Sequence, residues 1–99
     1  MSPSTYSLRF HPAVKKDLRK LTPDAVAHLK QEVFPGLGQD PQQGGILRGS
    51  FRNLRKKVVR FEGVSYRVIY QFDSRARSVI VLMVGPRGDF YDRLRRRLV

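Results

Sequence analysis

Between Arg55 and Tyr91 the chain carries three apolar runs in close succession, each with arginine or lysine at its ends or along one face. Lys57, Val59 and Phe61 alternate with Lys56, Val58 and Arg60, the period-two pattern of a strand whose two faces differ. Glu62-Gly63 marks a hairpin turn. In the next run Tyr66, Val68, Tyr70 and Phe72 line one face, and Arg67, Ile69 and Gln71 the other. Asp73 to Arg77 supplies the second turn, and Val79 to Val84 is apolar without alternation, as for a strand inside a sheet. Such a sheet buries valines on one side and displays cations on the other. It is a surface suited to anions, and the rest of the chain has to cover its buried side.

The preceding half supplies that cover. Tyr6, Leu8 and Phe10 alternate with polar neighbours, predicting a first strand that His11-Pro12 stops after the loose end Met1 to Ser4. Val14, Leu18 and Leu21 fall on one helical stripe, with Lys15, Lys16, Arg19 and Lys20 off it. Thr22-Pro23-Asp24 combines an N-cap, a first-turn proline and an acidic residue at the positive helix end. The second helix turns Val26, Leu29 and Val33 inward, and Pro35-Gly36 is expected to end it. Gln39 to Gly45 is polar with no apolar anchor and predicts a mobile loop, after which Ile46 and Leu47 tuck back. Asp89 is placed to cap a last short helix with Tyr91, Leu94 and Leu98 inward. The expectation is one α+β domain over residues 1–99 in the order β-α-α-β-β-β. An α-hairpin packs on one face of a small antiparallel sheet, and the other face is free for a ligand.

Lys+Arg 20 against Asp+Glu 8 leaves a formal charge of +12, with a pI near 11.1. Charge of that density on a small body points to a polyanionic partner. A membrane is the weakest candidate, since no run approaches the roughly 20 apolar residues of a span. No signal segment opens the chain, so the cytoplasm is the expected compartment. With no cysteine and only His11 and His28, no usual zinc set can be assembled, and no cofactor motif is present. Carboxylates fall at turns and on helix surfaces, which disfavours two-carboxylate hydrolysis and two-metal cleavage.

What remains is arginine, lysine and tyrosine. Those residues suffice for phosphodiester cleavage when the RNA's own 2′-hydroxyl is the nucleophile. The protein then holds the strand in line, neutralises charge building on the phosphate and helps two protons move. Arg67 stands out in mid-strand, and Arg87 and Tyr91 follow the Gly85-Pro86 break at the strand's open end. Taken singly, each serves structure as readily as function; together with the charge they favour an RNA or phosphate surface.

The pieces Leu47-Arg48-Gly49, Ser65 to Tyr70, and Val84-Gly85-Pro86-Arg87 followed by Tyr91 resemble the RelE/ParE superfamily of bacterial toxins. Phe10, Pro12, Lys16 and Leu18 fit the family's opening, so the likeness covers nearly the whole chain. The resemblance implies a RelE-like, microbial-ribonuclease-type fold and a toxin neutralised by a cognate antitoxin. In the RelE branch it implies a metal-independent mRNA interferase that enters the ribosome and cuts A-site mRNA. Arg67 then corresponds to the arginine that stabilises the transition state. Arg87 corresponds to the one that steadies the phosphate and protonates the leaving group. Tyr91 corresponds to the tyrosine that stacks on a base or transfers a proton. The family's paired lysines fall on Arg60 and Val58, with Lys56 one strand period back, so one lysine is replaced by arginine and the other is lost to valine. Arg55, Lys56, Lys57, Arg93, Arg95 and Arg96 are the expected RNA contacts, with ribosomal RNA among their targets. Two other functions stay open: a ParE-like inhibitor of DNA gyrase, with no nuclease site, and a non-catalytic RNA- or ribosome-binding module.

Overall fold

The structure, a computed structural model, describes residues 5–86 and 90–98. The opening Met1–Ser4 segment, the expected catalytic Arg87 and the expected cap Asp89 lie outside the described residues. Strand β1 (Ser7–Phe10) leads through helix α1 (Val14–Arg19) into a long helical segment. That segment consists of α2 (Pro23–His28), a π-helical turn (Leu29–Val33) and α3 (Phe34–Gln39). The short β2 (Gly45–Ile46) precedes β3 (Arg55–Phe61), β4 (Val64–Asp73) and β5 (Ser78–Pro86), and α4 (Phe90–Leu98) closes the described chain.

The α+β architecture and the helical hairpin match the expectation, with three differences in how the elements are laid out. The five strands lie in the order β1-β5-β4-β3-β2, and β1 runs parallel to β5, so the sheet is mixed and not wholly antiparallel. The hairpin carries the chain from one sheet edge to the other. The meander β2 to β5 then returns it alongside β1 in the same direction. The second helix does not stop at Pro35-Gly36 but runs to Gln39. Proline 35 has no N–H and would crowd the carbonyl one turn before it. The π-helical turn just upstream widens the helix at that point and lets it continue. Its start is as read: Thr22 Oγ1 accepts a hydrogen bond from the Ala25 N–H at 3.2 Å.

The third difference concerns the far side of the sheet. Val68, Tyr70, Val79, Val81 and Val84 pack against Val14, Leu29, Phe34 and Leu37 of the hairpin. Ile69, Leu82 and Met83 face the opposite way and are covered by Leu94 of α4 with Leu47, Phe51 and Leu54. A bulge between Ile69 and Tyr70 on the β4–β5 ladder puts both Leu82 and Met83 on that side. This explains why Val79 to Val84 shows no alternation: both faces of β5 are buried. The ligand face is therefore half covered, not free. Ile46 and Leu98, read as inward, are 59% and 43% exposed.

The polar loop is also tied down. The Tyr70 hydroxyl donates to the Pro41 carbonyl at 2.7 Å and accepts from the Gly44 N–H at 2.9 Å. A Cβ at Gly44 would lie 2.6 Å from that hydroxyl and 2.9 Å from the Lys56 carbonyl, so only glycine fits there.

Candidate phosphate-binding site

The open half of the sheet's α4-side face is laid out by strand register. Lys56 pairs with Ile69, Val58 with Arg67, and Arg60 with Ser65, so their side chains rise on one face. On the other side of β4, Arg67 pairs with Gly85, over which the Arg93 guanidinium lies. The result is a cationic field of Lys56, Arg60, Arg67 and Arg93 beside the first turn of α4. A cleft of about 430 Å³ lined by Arg60, Gly63, Val64, Ser65 and Pro86 continues it to the hairpin end.

Arg67 is the centre of this field. Its Nε and Nη1 atoms are buried and have no hydrogen-bond partner among the described residues. A guanidinium with two buried donors unsatisfied forfeits about 1–3 kcal/mol or more, a cost that charge-assisted hydrogen bonds to an anion would offset. The ion pairs among the described residues all involve Asp17 or lie within α4, so no carboxylate of those residues pairs with Lys56, Arg60 or Arg67. Beside Arg67 lies Phe90, whose ring centroid is 6.0 Å from the guanidinium carbon and 5.8 Å from Lys56 Nζ. One ring thus serves two cations at the outer reach of cation–π attraction.

The remaining expected residues divide. Tyr91 stacks on Phe90 at 4.5 Å and lies 5.8 Å from the Phe51 ring, so it is packed into the aromatic edge of the site. Lys57 and Arg55 pair with Val68 and Tyr70 and point to the helix-covered side. Arg55 donates to the carbonyls of Gln42 and Gly44 and covers Phe72, so it braces the loop. Arg95 is held by Asp92 at 2.8 Å and lies over Phe51, whereas Arg96 is exposed. Phe90 is the residue that sequence reasoning missed. Its signal was its position beside Tyr91 after the strand break, but only the fold shows Lys56 reaching it from β3.

Asp17 sets the position of α4. Its carboxylate takes a bidentate contact from Arg97 at 2.6 and 2.9 Å and lies 3.7 Å from Arg93. Among the described residues no group of three or more His, Cys, Asp or Glu is arranged to hold a metal ion. No helix of the described residues is long and apolar enough to cross a membrane.

A family model for ParE-like toxins of type II bacterial toxin–antitoxin systems matches residues 8–95. Toxin RelG of Mycobacterium tuberculosis is 30% identical over 93 residues, covering 89% of this chain and 98% of that protein. Among solved structures, an arginine-to-alanine mutant of the E. coli toxin RelE in the free state superposes with a TM-score of 0.74. It is 26% identical and covers 96% of this chain and 99% of that one. A chain of the M. tuberculosis RelBE2 toxin–antitoxin complex gives a TM-score of 0.73 at 28% identity, covering 89% and 98%. A chain of the archaeal RelE–RelB complex from Pyrococcus horikoshii gives 0.62 at 26% identity, covering 86% and 98%. With the mixed sheet, the helical hairpin and the match over residues 8–95 in agreement, the chain belongs to the RelE/ParE superfamily and is a toxin of a type II toxin–antitoxin system.

Proposed function

We propose that this toxin is a metal-independent endoribonuclease that cuts mRNA in the ribosomal A site and so arrests translation in the cytoplasm. The observation that carries the reading is the Arg67 guanidinium, whose buried Nε and Nη1 have no hydrogen-bond partner and which, among the described residues, shares its sheet face with Lys56 and Arg60 and pairs with no carboxylate. In the reaction the 2′-oxygen bonds to phosphorus as the bond to the 5′-oxygen breaks. The 2′-hydroxyl proton leaves to a base and a second proton reaches the 5′-oxygen, giving a cyclic phosphate and a 5′-hydroxyl. Charge accumulates on the non-bridging oxygens, and the fixed positive charge of Arg67 stabilises it. Lys56 and Arg60, on the same face, hold the strand by neighbouring phosphates. Phe90 and Tyr91 form an aromatic edge on which a base can stack. The family likeness assigns Arg87 to the phosphate and leaving group, and Tyr91 to stacking or proton transfer. The solved RelE–RelB complexes of relatives support a cognate antitoxin as this toxin's partner.

The family model's description keeps a second reading alive, inhibition of DNA gyrase in the manner of ParE. Primer extension on translated mRNA after induction separates the two. Cuts within codons that fall by about 100-fold or more in Arg67→Ala and Arg87→Ala, with folded purified variants, are expected. Intact mRNA with disturbed supercoiling would overturn the nuclease in favour of gyrase, and blanks in both assays would leave a binding module.

A further inference from the structure

Arg67 has no charged partner in its own cross-strand row. Toward β3 it pairs with Val58, which is 45% exposed and uncharged, and toward β5 with Gly85. Lys56 and Arg60 lie two residues along β3 on either side of Val58, about 7 Å each way. That spacing suits them to the phosphates flanking the one that Arg67 meets. Gly85 has no side chain of its own, but the space over it is taken. Arg93 reaches it from α4, with its terminal nitrogens 3.5 and 4.0 Å from the point where a Gly85 side chain would begin. Neighbouring strands lie about 5 Å apart, so this guanidinium stands beside the root of Arg67 on the same face.

Arg93 is held in place but not engaged. Its Nη2 lies 3.7 Å from an Asp17 oxygen, beyond hydrogen-bond reach. Arg97 takes both oxygens of that carboxylate, at 2.6 and 2.9 Å. One carboxylate between two guanidiniums leaves one positive charge over, and the hydrogen-bonded partner is Arg97. The Arg93 side chain is 38% exposed, open to a ligand lying over Arg67. Phe90, one turn earlier on α4, reaches the same row.

We propose that Arg93 is a second guanidinium for the reacting phosphate, a catalytic residue that α4 brings to the site. The inference rests on the nuclease reading above. A phosphodiester carries one negative charge, and attack by the deprotonated 2′-oxygen raises it to two until the 5′-oxygen departs. Arg67 offsets the charge present throughout. A further cation on its β5 side favours the doubly charged state over the substrate. Arg87, which the family likeness gives to the phosphate and the leaving group, remains a separate contributor.

The test follows single-turnover cleavage of mRNA on programmed ribosomes by the full toxin. Beside it, anisotropy compares binding of an RNA trinucleotide ending in a 3′-phosphate with the same trinucleotide ending in a 3′-hydroxyl. Arg93→Gln keeps the stem of the side chain and removes its charge, and thermal melts verify that it is folded. It is expected to slow cleavage by about tenfold or more and to lower the preference for the 3′-phosphate by about threefold. Val58→Lys places an ammonium in the uncharged half of the row and should restore the Arg93→Gln rate by at least about threefold. Arg75→Gln removes the same charge from an exposed turn and should change the rate by less than about twofold. A folded Arg93→Gln that cuts at the wild-type rate, or a loss matched by Arg75→Gln, would overturn the proposal. So would a loss that Val58→Lys leaves unrecovered, which would make Arg93 a brace for α4. If the wild-type toxin does not cut while Arg93→Gln still loses the phosphate preference, the nuclease reading fails and the phosphate ligand stands.

Discussion

Tyr70 shows how much one hydroxyl settles. It is fully buried, and its two hydrogen bonds hold Pro41 and Gly44 to the sheet. Burial pushes its phenol pKa above the ordinary value of about 10, partly offset by the Gly44 N–H and the Arg55 charge. A phenol harder to ionise folded than unfolded leaves the unfolded chain to lose its proton first. The stabilisation from this residue is therefore complete below about pH 10 and lost as pH rises through the folded value. Tyr70→Phe should lower stability by about 1–3 kcal/mol at neutral pH, since it leaves a buried N–H and a buried carbonyl unpaired. It should also flatten the alkaline fall; thermal melts of both proteins from pH 8 to 11 check the pair of effects. In sequence Tyr70 was legible as a core tyrosine but not as the loop's fastening, because its partners lie 26 and 29 residues away.

At the scale of the element, the strand edge of β5 explains an ion pair that looks misplaced. β1 accompanies β5 only as far as Val81, leaving the next outward backbone groups without a strand. Asp17 accepts the Val84 N–H at 3.0 Å, and Arg97 donates to the Leu82 carbonyl at 3.0 Å. The two side chains, joined to each other, stand in for the missing strand and dock α4 against α1 and β5. Asp17→Asn should cost about 3 kcal/mol, because it strands the largely buried Arg97 guanidinium. Urea denaturation measures it, and a loss under about 1 kcal/mol would show that the pair adds little beyond packing. In the sequence Asp17 read as one more helix-surface carboxylate and Arg97 as part of a basic tail. The edge they serve exists only once the strands are paired.

For the whole molecule the governing quantity is +12 on 99 residues. Phosphate contacts release counterions, so affinity for single-stranded RNA should fall linearly in log–log form with salt, by about 0.7 per contact. Exposed Arg96 should contribute one such step, and Arg96→Ala should reduce the slope by about 0.7 without moving cleavage positions. Arg55→Ala should leave the slope unchanged, since that guanidinium is spent on the loop carbonyls. Filter binding across 50 to 300 mM salt, on the order of a Debye-length change from 14 to 6 Å, resolves the two.

The local pattern by itself determined the helical hairpin, the Thr22 cap, the Glu62-Gly63 turn and the alternating faces of β3 and β4. Each of these follows from chemistry within a few residues. The turn is an instance: Glu62 and Gly63 sit at φ values of 51° and 81°, the left-handed pair that a two-residue hairpin demands. Arg67 also stood out locally, as a charge in mid-strand. Tertiary structure alone decided that β1 runs parallel to β5, that α4 covers half the ligand face, and that Arg55 braces a loop while Lys56 faces the site. These depend on pairings between segments far apart in the chain, and strand register gives no local sign of its partner. The Arg55–Tyr91 stretch thus carried the cations in its sequence, but the fold selected which of them share a face with Arg67.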